Sequence, residues 1–130
     1  MRTNVIFRCA QEFVASDEEE GILGVRGASW FVERLKRIPG LAIDQRLTQE
    51  DWGVVIFSQK NEKMFWIGLS LYPDGENCWL AHVHHAPWTL LQRFTAKGKA
   101  ALHDLVNEID AMLRADATVT DVRWCCDEDT

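Results

Sequence analysis

The strongest constraint on the fold is the segment Lys63–Tyr72, KMFWIGLSLY, in which every second side chain is large and apolar. Successive side chains of a β-strand point to opposite faces, so these apolar residues would share one face. We therefore expect a strand whose apolar face packs against helices. That face would consist of Phe65, Ile67, Leu69 and Leu71. The opposite face would consist of Met64, Trp66, Gly68, Ser70 and Tyr72.

Two more strand-like segments flank this one along the chain. Asp51–Gln59 precedes it through the connection KNE, and Cys78–His85 follows it after the turn-forming sequence PDGEN. Such short connections predict an antiparallel meander. Alternation predicts that the inward side chains of these two strands are Trp52, Val54, Ile56, Trp79, Ala81 and Val83. The outward residues would then be Gly53, Val55, Phe57, Leu80, His82 and His84.

The remaining strands are shorter or less regular. TNVIFRC at 3–9 and TVTDVRW at 118–124 carry β-branched residues, and LAIDQRL at 41–47 alternates apolar and polar side chains. By contrast, Ala10–Gly27 combines an acidic run with three glycines, which interrupt any periodicity. We expect a long loop over that range.

Two segments have the spacing of amphipathic helices. The first is predicted to begin at Ser29, its N-cap, and to end before Pro39. Its buried face would comprise Phe31, Leu35 and Ile38. The second is predicted to run from its N-cap Thr95 to Ala115. Its apolar stripe comprises Leu102, Leu105, Val106, Ile109, Met112 and Leu113.

These elements follow one another in the order β-α-β-β-β-β-α-β. They predict a single α+β domain over residues 1–130, with an antiparallel meander sheet of about five to six strands and two helices packed on one of its faces. The last residues, 126–130, would form an acidic tail.

The overall charge excludes some classes of partner. The chain of 130 residues has a formal net charge of −6, which disfavours nucleic acid because phosphate binding needs clustered lysine and arginine. An acidic surface instead suits a basic partner. The N-terminal sequence lacks the apolar core of a signal peptide, and no apolar run approaches the roughly 18 residues of a membrane span. We expect a cytoplasmic protein that does not associate with membranes and keeps its four cysteines reduced.

The outward sheet face is predicted to be unusually apolar, although such faces are normally polar. We interpret it as a contact surface for a protein partner or for a second copy of the chain. The alternative is a cover from within the chain, supplied by residues 87–94 or by the Ala10–Gly27 loop. The predicted binding surface comprises Phe57, Trp66, Tyr72, Leu80, His82, His84 and Trp88.

Three of the four histidines lie close together in the stretch WLAHVHHAPW. On a strand, His82 and His84 would point to one face, roughly 7 Å apart, whereas His85 would point to the other. Such pairs occur in metal sites, but a catalytic zinc site needs a third protein ligand. Since no third ligand is evident, we expect no metal and no cofactor. The alternative is a metal-dependent hydrolase with His82 and His84 as ligands.

Four short motifs carry a resemblance to known proteins. These motifs are EDWG at 50–53, FWIGL followed by YPDG at 65–75, WL at 79–80 and DVRW at 121–124. Together they resemble a loose group of small bacterial α+β proteins of unknown function. The resemblance implies the fold class and a bacterial origin, and it implies no chemistry. The histidines of HVHH depart from the apolar or acidic residues typical of the group at that place.

These observations favour a binding module over an enzyme. No nucleophile elbow, phosphate-binding loop or paired carboxylate motif is present in the sequence. We expect a non-enzymatic bacterial protein-interaction module that uses the outward sheet face. A homodimer and a toxin-neutralising, immunity-type partner are two forms of this hypothesis, the latter supported by charge and size alone.

Overall fold

A computed structural model describes residues 2–9, 25–72, 77–86 and 96–127. Within these residues it contains two helices and a seven-stranded sheet. The helices are α1 (Val25–Leu35) and α2 (Ala96–Ala115). The strands are β1 (Arg2–Cys9), β2 (Ala42–Ile43), β3 (Thr48–Gln49), β4 (Val54–Lys60), β5 (Lys63–Leu71), β6 (Cys78–His85) and β7 (Val119–Asp127).

All the strand pairings are antiparallel, and the order across the sheet is β2-β4-β5-β6-β1-β7, with β3 also paired to β4. The strands β4, β5 and β6 form the expected meander because their connections are short. The N-terminal strand β1 lies between β6 and β7, and so it joins the meander to the last strand. The predicted α+β class with an antiparallel sheet and two helices is confirmed.

One face of the sheet forms the core with both helices. The inward residues of β5 behave as the alternation predicts, since Phe65, Ile67 and Leu69 are buried and Leu71 packs against the core. Each large apolar side chain buried in this way contributes roughly 1.5–3 kcal/mol to the stability of the fold. The inward partners on neighbouring strands are Val5, Phe7, Val54, Ile56, Trp79, Ala81 and Val83. The helices contribute Phe31, Leu35, Leu102, Leu105, Ile109 and Leu113.

Polar contacts join the helices to each other and to the sheet. Arg34 on α1 places its guanidinium 4.3 Å from the centroid of the Trp30 ring, and its Nε donates to Asp116 just after α2 at 2.9 Å. Lys60, at the end of β4, pairs with Glu108 of α2. These pairs are partly buried and fix where the ends of the elements meet.

Three predicted boundaries are wrong. The helix predicted to begin at Ser29 begins at Val25, so residues 25–27 of the predicted loop are helical, while residues 10–24 lie outside the described residues. The strand predicted at 41–47 is reduced to β2, and β3 begins only after that range, at Thr48. The last strand reaches Asp127, and so it enters the range predicted as an acidic tail.

The break between β2 and β3 has a local cause. The side chain of Asp44 accepts a hydrogen bond from the Arg46 N–H at 2.8 Å, which turns the chain away from β4. The backbone N–H of Asp44 still donates to the Phe57 carbonyl at 2.9 Å. The alternating pattern therefore continues past the point where regular strand pairing ends.

Neither described helix is long and apolar enough to cross a membrane.

Candidate functional site

The outer sheet face carries a row of aromatic and histidine side chains across three strands. Phe57 of β4 lies opposite Trp66 of β5, and Trp66 lies opposite His84 of β6. Residues paired in this way point to the same side of a sheet, so their rings are neighbours. The sequence predicted these three residues as surface residues, and the register brings them together.

Phe57 and Trp66 differ in how much of each reaches solvent. Phe57 is 39% exposed, whereas Trp66 is half-buried and stacks on His84 with ring centroids 4.0 Å apart and planes 13° apart. Stacking of this kind holds the His84 ring in one orientation. In this row the rings of Trp66 and His84 are held by their stacking, whereas the ring of Phe57 is exposed to solvent.

The position of the His82 ring depends on Gly68. The two residues are paired in register, and a Cβ atom on Gly68 would lie 2.2 Å from Cε1 of the His82 ring. The imidazole therefore lies over the glycine, which leaves the space that any other residue would fill. A lone glycine in a strand indicates such a close approach, so Gly68 is the signal in the sequence for the position of His82, which side-chain alternation alone does not give.

Trp52 belongs to this outer cluster, although the alternation predicted it to face the core. It is 40% exposed, and its ring centroid lies 5.3 Å from that of His82. The strand β4 begins only at Val54, and residues 51–53 form a bend, closed by a hydrogen bond from the Glu50 N–H to the Gly53 carbonyl at 2.7 Å. Because Trp52 precedes the strand, the two-residue period does not apply to it.

Gly53 makes the bend possible. A Cβ on this residue would lie 2.2 Å from the carbonyl oxygen of Leu69 on the neighbouring strand. Only glycine lets the two backbones approach so closely. The bend that places Trp52 beside His82 therefore requires glycine at position 53.

The two histidines are in direct contact. Nδ1 of His82 and Nε2 of His84 are 3.1 Å apart, which is a hydrogen bond, and the two rings meet edge-on with centroids 5.2 Å apart. Trp66 meets His82 edge-on at 5.6 Å. His82 thus has aromatic or imidazole rings around it, contributed by Trp52, Trp66 and His84.

This environment changes the protonation of His82. Burial, as the larger cause, and the charge on His84 together lower its pKa from 6.5 to about 4. Removal from water disfavours the charged imidazolium, and a neighbouring histidine adds repulsion when both are protonated. His82 is therefore a neutral side chain at pH 7, able both to donate and to accept a hydrogen bond.

The other predicted surface residues are more dispersed. Leu80 lies on the same face and is half-buried, opposite Ser70 and Ile6. Tyr72 follows the end of β5, and its N–H donates to the Cys78 carbonyl at 2.8 Å. Trp88 lies outside the described residues.

Asn4 is a neighbour that the sequence analysis did not select. It lies opposite His82 on β1, and its Oδ1 is buried without a hydrogen-bond partner among the described residues. A buried acceptor without a partner costs roughly 1–3 kcal/mol. No feature of the sequence singles out Asn4, because its importance comes from a strand pairing between distant parts of the chain.

The arrangement limits what catalysis the site can support. Among the described residues, no group of three histidine, cysteine or carboxylate side chains is placed to hold one metal ion. His85 is buried on the inner face with its ring tilted 42° to that of Phe65, and His103 lies exposed on α2. Cys78 is buried. The site therefore provides two imidazoles and several aromatic surfaces.

A concavity lies on the helical side of the molecule. It has a volume of about 370 Å³, and its walls include Ile38, Pro39, Ala111 and Met112. It is remote in the fold from the outer face, because the helices cover the opposite side of the sheet. This helical surface offers positions for control substitutions.

Comparison with known proteins finds no match for the chain among protein-family models, curated proteins or solved structures. The outer cluster of Trp52, Phe57, Trp66, His82 and His84 is consequently interpreted from its own geometry.

Proposed function

We propose that the protein is a non-enzymatic protein-interaction module that binds its partner through the outer cluster. The observation that carries this proposal is the exposure of Trp52 and Phe57, the exposed large hydrophobic side chains of the described residues. Both belong to the outer cluster, whereas Trp30 and Trp79 are buried in the core. Exposed aromatic side chains grouped on one face are typical of protein contact sites.

The charge of the chain indicates the chemistry of that partner. Glu50 and Asp51 are exposed beside Trp52, and the whole chain has a net charge of −6. Two copies of so acidic a chain repel each other, whereas a basic surface is attracted. We propose a partner protein that presents an apolar patch with a basic rim. If the chain is an immunity-type protein, the toxin that it binds would present a surface of this kind.

Within the proposal, the cluster contributes both shape and polarity. The rings of Trp52 and Phe57 supply apolar contact area with little loss of side-chain freedom. Neutral His82 supplies hydrogen-bonding groups without the cost of burying a charge.

The test is capture of the partner from cells of the source organism, followed by its identification and titration against purified protein. Phe57→Lys should lower the affinity for the identified partner by about tenfold or more, because it places a charge in the contact and repels a basic rim. Ala111→Lys, which makes the same charge change on the helical side, should leave the affinity unchanged.

Sedimentation of the free protein separates the proposed partner from a second copy. The proposal predicts a monomer at micromolar concentration. If the free protein is instead a dimer and Phe57→Lys dissociates it, the outer cluster binds a second copy of the chain and not a basic partner. Equal binding by Phe57→Lys and wild type, or a captured partner that is acidic, would refute the proposal.

A metal-dependent hydrolase on His82 and His84 is the alternative function. Catalytic zinc sites commonly have three protein ligands. The described residues offer no such group of three at this place, so they do not supply the ligand set that this alternative would need.

A further inference from the structure

The distance between the facing nitrogens of His82 and His84 also fits two ligands of one metal ion. The facing nitrogens, Nδ1 of the first and Nε2 of the second, are 3.1 Å apart. Metal–imidazole bonds are about 2.0–2.1 Å long, so two nitrogens on one ion lie about 2.9 Å apart at a right angle and about 3.3 Å apart at the tetrahedral angle. The observed separation lies between these two values.

The geometry points to a metal chelate: we propose that His82 and His84 together bind one divalent late first-row transition ion, of the class of Ni²⁺, Cu²⁺ and Zn²⁺. Imidazole nitrogen is a preferred ligand of these ions. Binding requires one imidazole to change tautomer, so that its shared proton moves to the ring nitrogen facing away. The N–H bond at the facing nitrogen breaks and an N–H bond forms at the other nitrogen of the same ring, so the imidazole stays neutral and no proton is lost. Both facing nitrogens then present lone pairs to the ion.

The surroundings hold the chelate in place. Trp66 stacks on His84 and limits the orientations of that ring, and Gly68 leaves room for His82, so little ring freedom is lost when the ion binds. Asn4 lies opposite His82, and its buried Oδ1 has no hydrogen-bond partner among the described residues, which is the kind of acceptor that a water molecule on the ion would satisfy. The described residues offer no third side chain for the ion at this place, so in the proposal water fills the positions that they leave, which makes this an open, two-ligand site of moderate affinity.

This inference is independent of the proposed function, since it concerns the free chain and one inorganic ion. The probe is Ni²⁺, added as a simple salt to protein without a histidine tag. Ni²⁺ is paramagnetic, and unlike Cu²⁺ it does not oxidise the cysteine thiols. Calorimetry should give saturable binding of one ion per chain, and the ring proton signals of His82 and His84 should broaden before those of His103 and His85.

Two variants test the assignment. His84→Gln should weaken Ni²⁺ binding by roughly a hundredfold, because one anchored ligand no longer assists the other. His103→Gln, which removes an exposed histidine from α2, should leave the affinity unchanged. Circular dichroism shows whether each variant is folded, and the broadening experiment uses the wild-type protein alone.

Absence of saturable binding at millimolar Ni²⁺ would overturn the proposal and would mean that the histidines form only a hydrogen bond. Equal affinity of His84→Gln and wild type would overturn it as well, and so would signals of His103 or His85 that broaden first.

Discussion

The two faces of the sheet both carry aromatic clusters, and the clusters differ in what surrounds them. On the inner face, Phe7, Phe31, Trp30 and Trp79 contact one another with ring centroids 5.4–6.5 Å apart, and each is at most 5% exposed. On the outer face, Trp66 packs on histidines, and Trp52 and Phe57 remain open to solvent. The same strands thus support a closed core on one side and an open polar–aromatic surface on the other.

The strand β6 shows this difference within a single segment. Trp79, Ala81 and Val83 are fully buried, while His82 and His84 between and after them are half-buried on the opposite face. The inner cluster is a packing unit whose loss should unfold the protein. The outer cluster is a surface whose change should alter binding and protonation more than stability.

Trp79→Ala should have the largest effect on stability. Its removal leaves a cavity among Phe7, Trp30 and the helices, and such changes cost roughly 3–5 kcal/mol. Chemical denaturation of the variant and wild type would measure this. A loss below about 1 kcal/mol would contradict the account of the inner face as the main source of stability.

Gly53→Ala should have the next largest effect, since it strains the backbone where the outer face begins. The new Cβ would clash with the Leu69 carbonyl, and we expect a loss of roughly 1–3 kcal/mol. The tryptophan fluorescence, to which Trp52 contributes as one of six tryptophans, should also shift, because the bend that holds this indole near His82 would open. A neutral substitution with unchanged fluorescence would show that the bend does not depend on glycine.

Acid should weaken the fold through His82. Its pKa is lowered in the folded protein, so the unfolded chain binds the proton more tightly. The free energy of unfolding should therefore decline as pH falls from 6.5 towards 4, by on the order of 1 kcal/mol after allowance for partial exposure. His82→Gln should reduce this decline in buffer containing a chelator. An identical pH dependence in both proteins would contradict the lowered pKa.

Trp52→Ala should have the smallest effect on stability. The indole is 40% exposed, so we expect a loss of about 1 kcal/mol or less in denaturation experiments. The variant to compare with it is Trp79→Ala, which makes the same chemical change on the inner face of the sheet. Similar losses from both variants would erase the distinction between the two clusters.

The inner face was the part most accessible from sequence, for reasons visible in particular residues. Phe65, Ile67 and Leu69 alternate without interruption, and Leu102, Leu105 and Ile109 repeat at helical spacing, because burial against a single partner surface imposes a regular period. The outer histidines were assigned correctly to one face by the same rule.

The features that could not be predicted from the sequence depend on contacts between distant segments or on local turns. Trp52 was misplaced because the bend at 51–53 ends the alternation, and the strand at 41–47 was divided by the Asp44 side chain. The hydrogen bond between His82 and His84 and the neighbouring Asn4 require the strand register. Periodicity carries no information on ring orientation.

The most direct test of the difference between the two faces is a nuclear magnetic resonance titration of the histidine ring protons in metal-free buffer. The account predicts that His82 titrates with a pKa of about 4, because it lies half-buried among Trp52, Trp66 and His84. A His82 that titrates near 6.5, like an exposed histidine, would show that the outer cluster does not enclose the ring. That result would contradict the description of this face as an ordered surface.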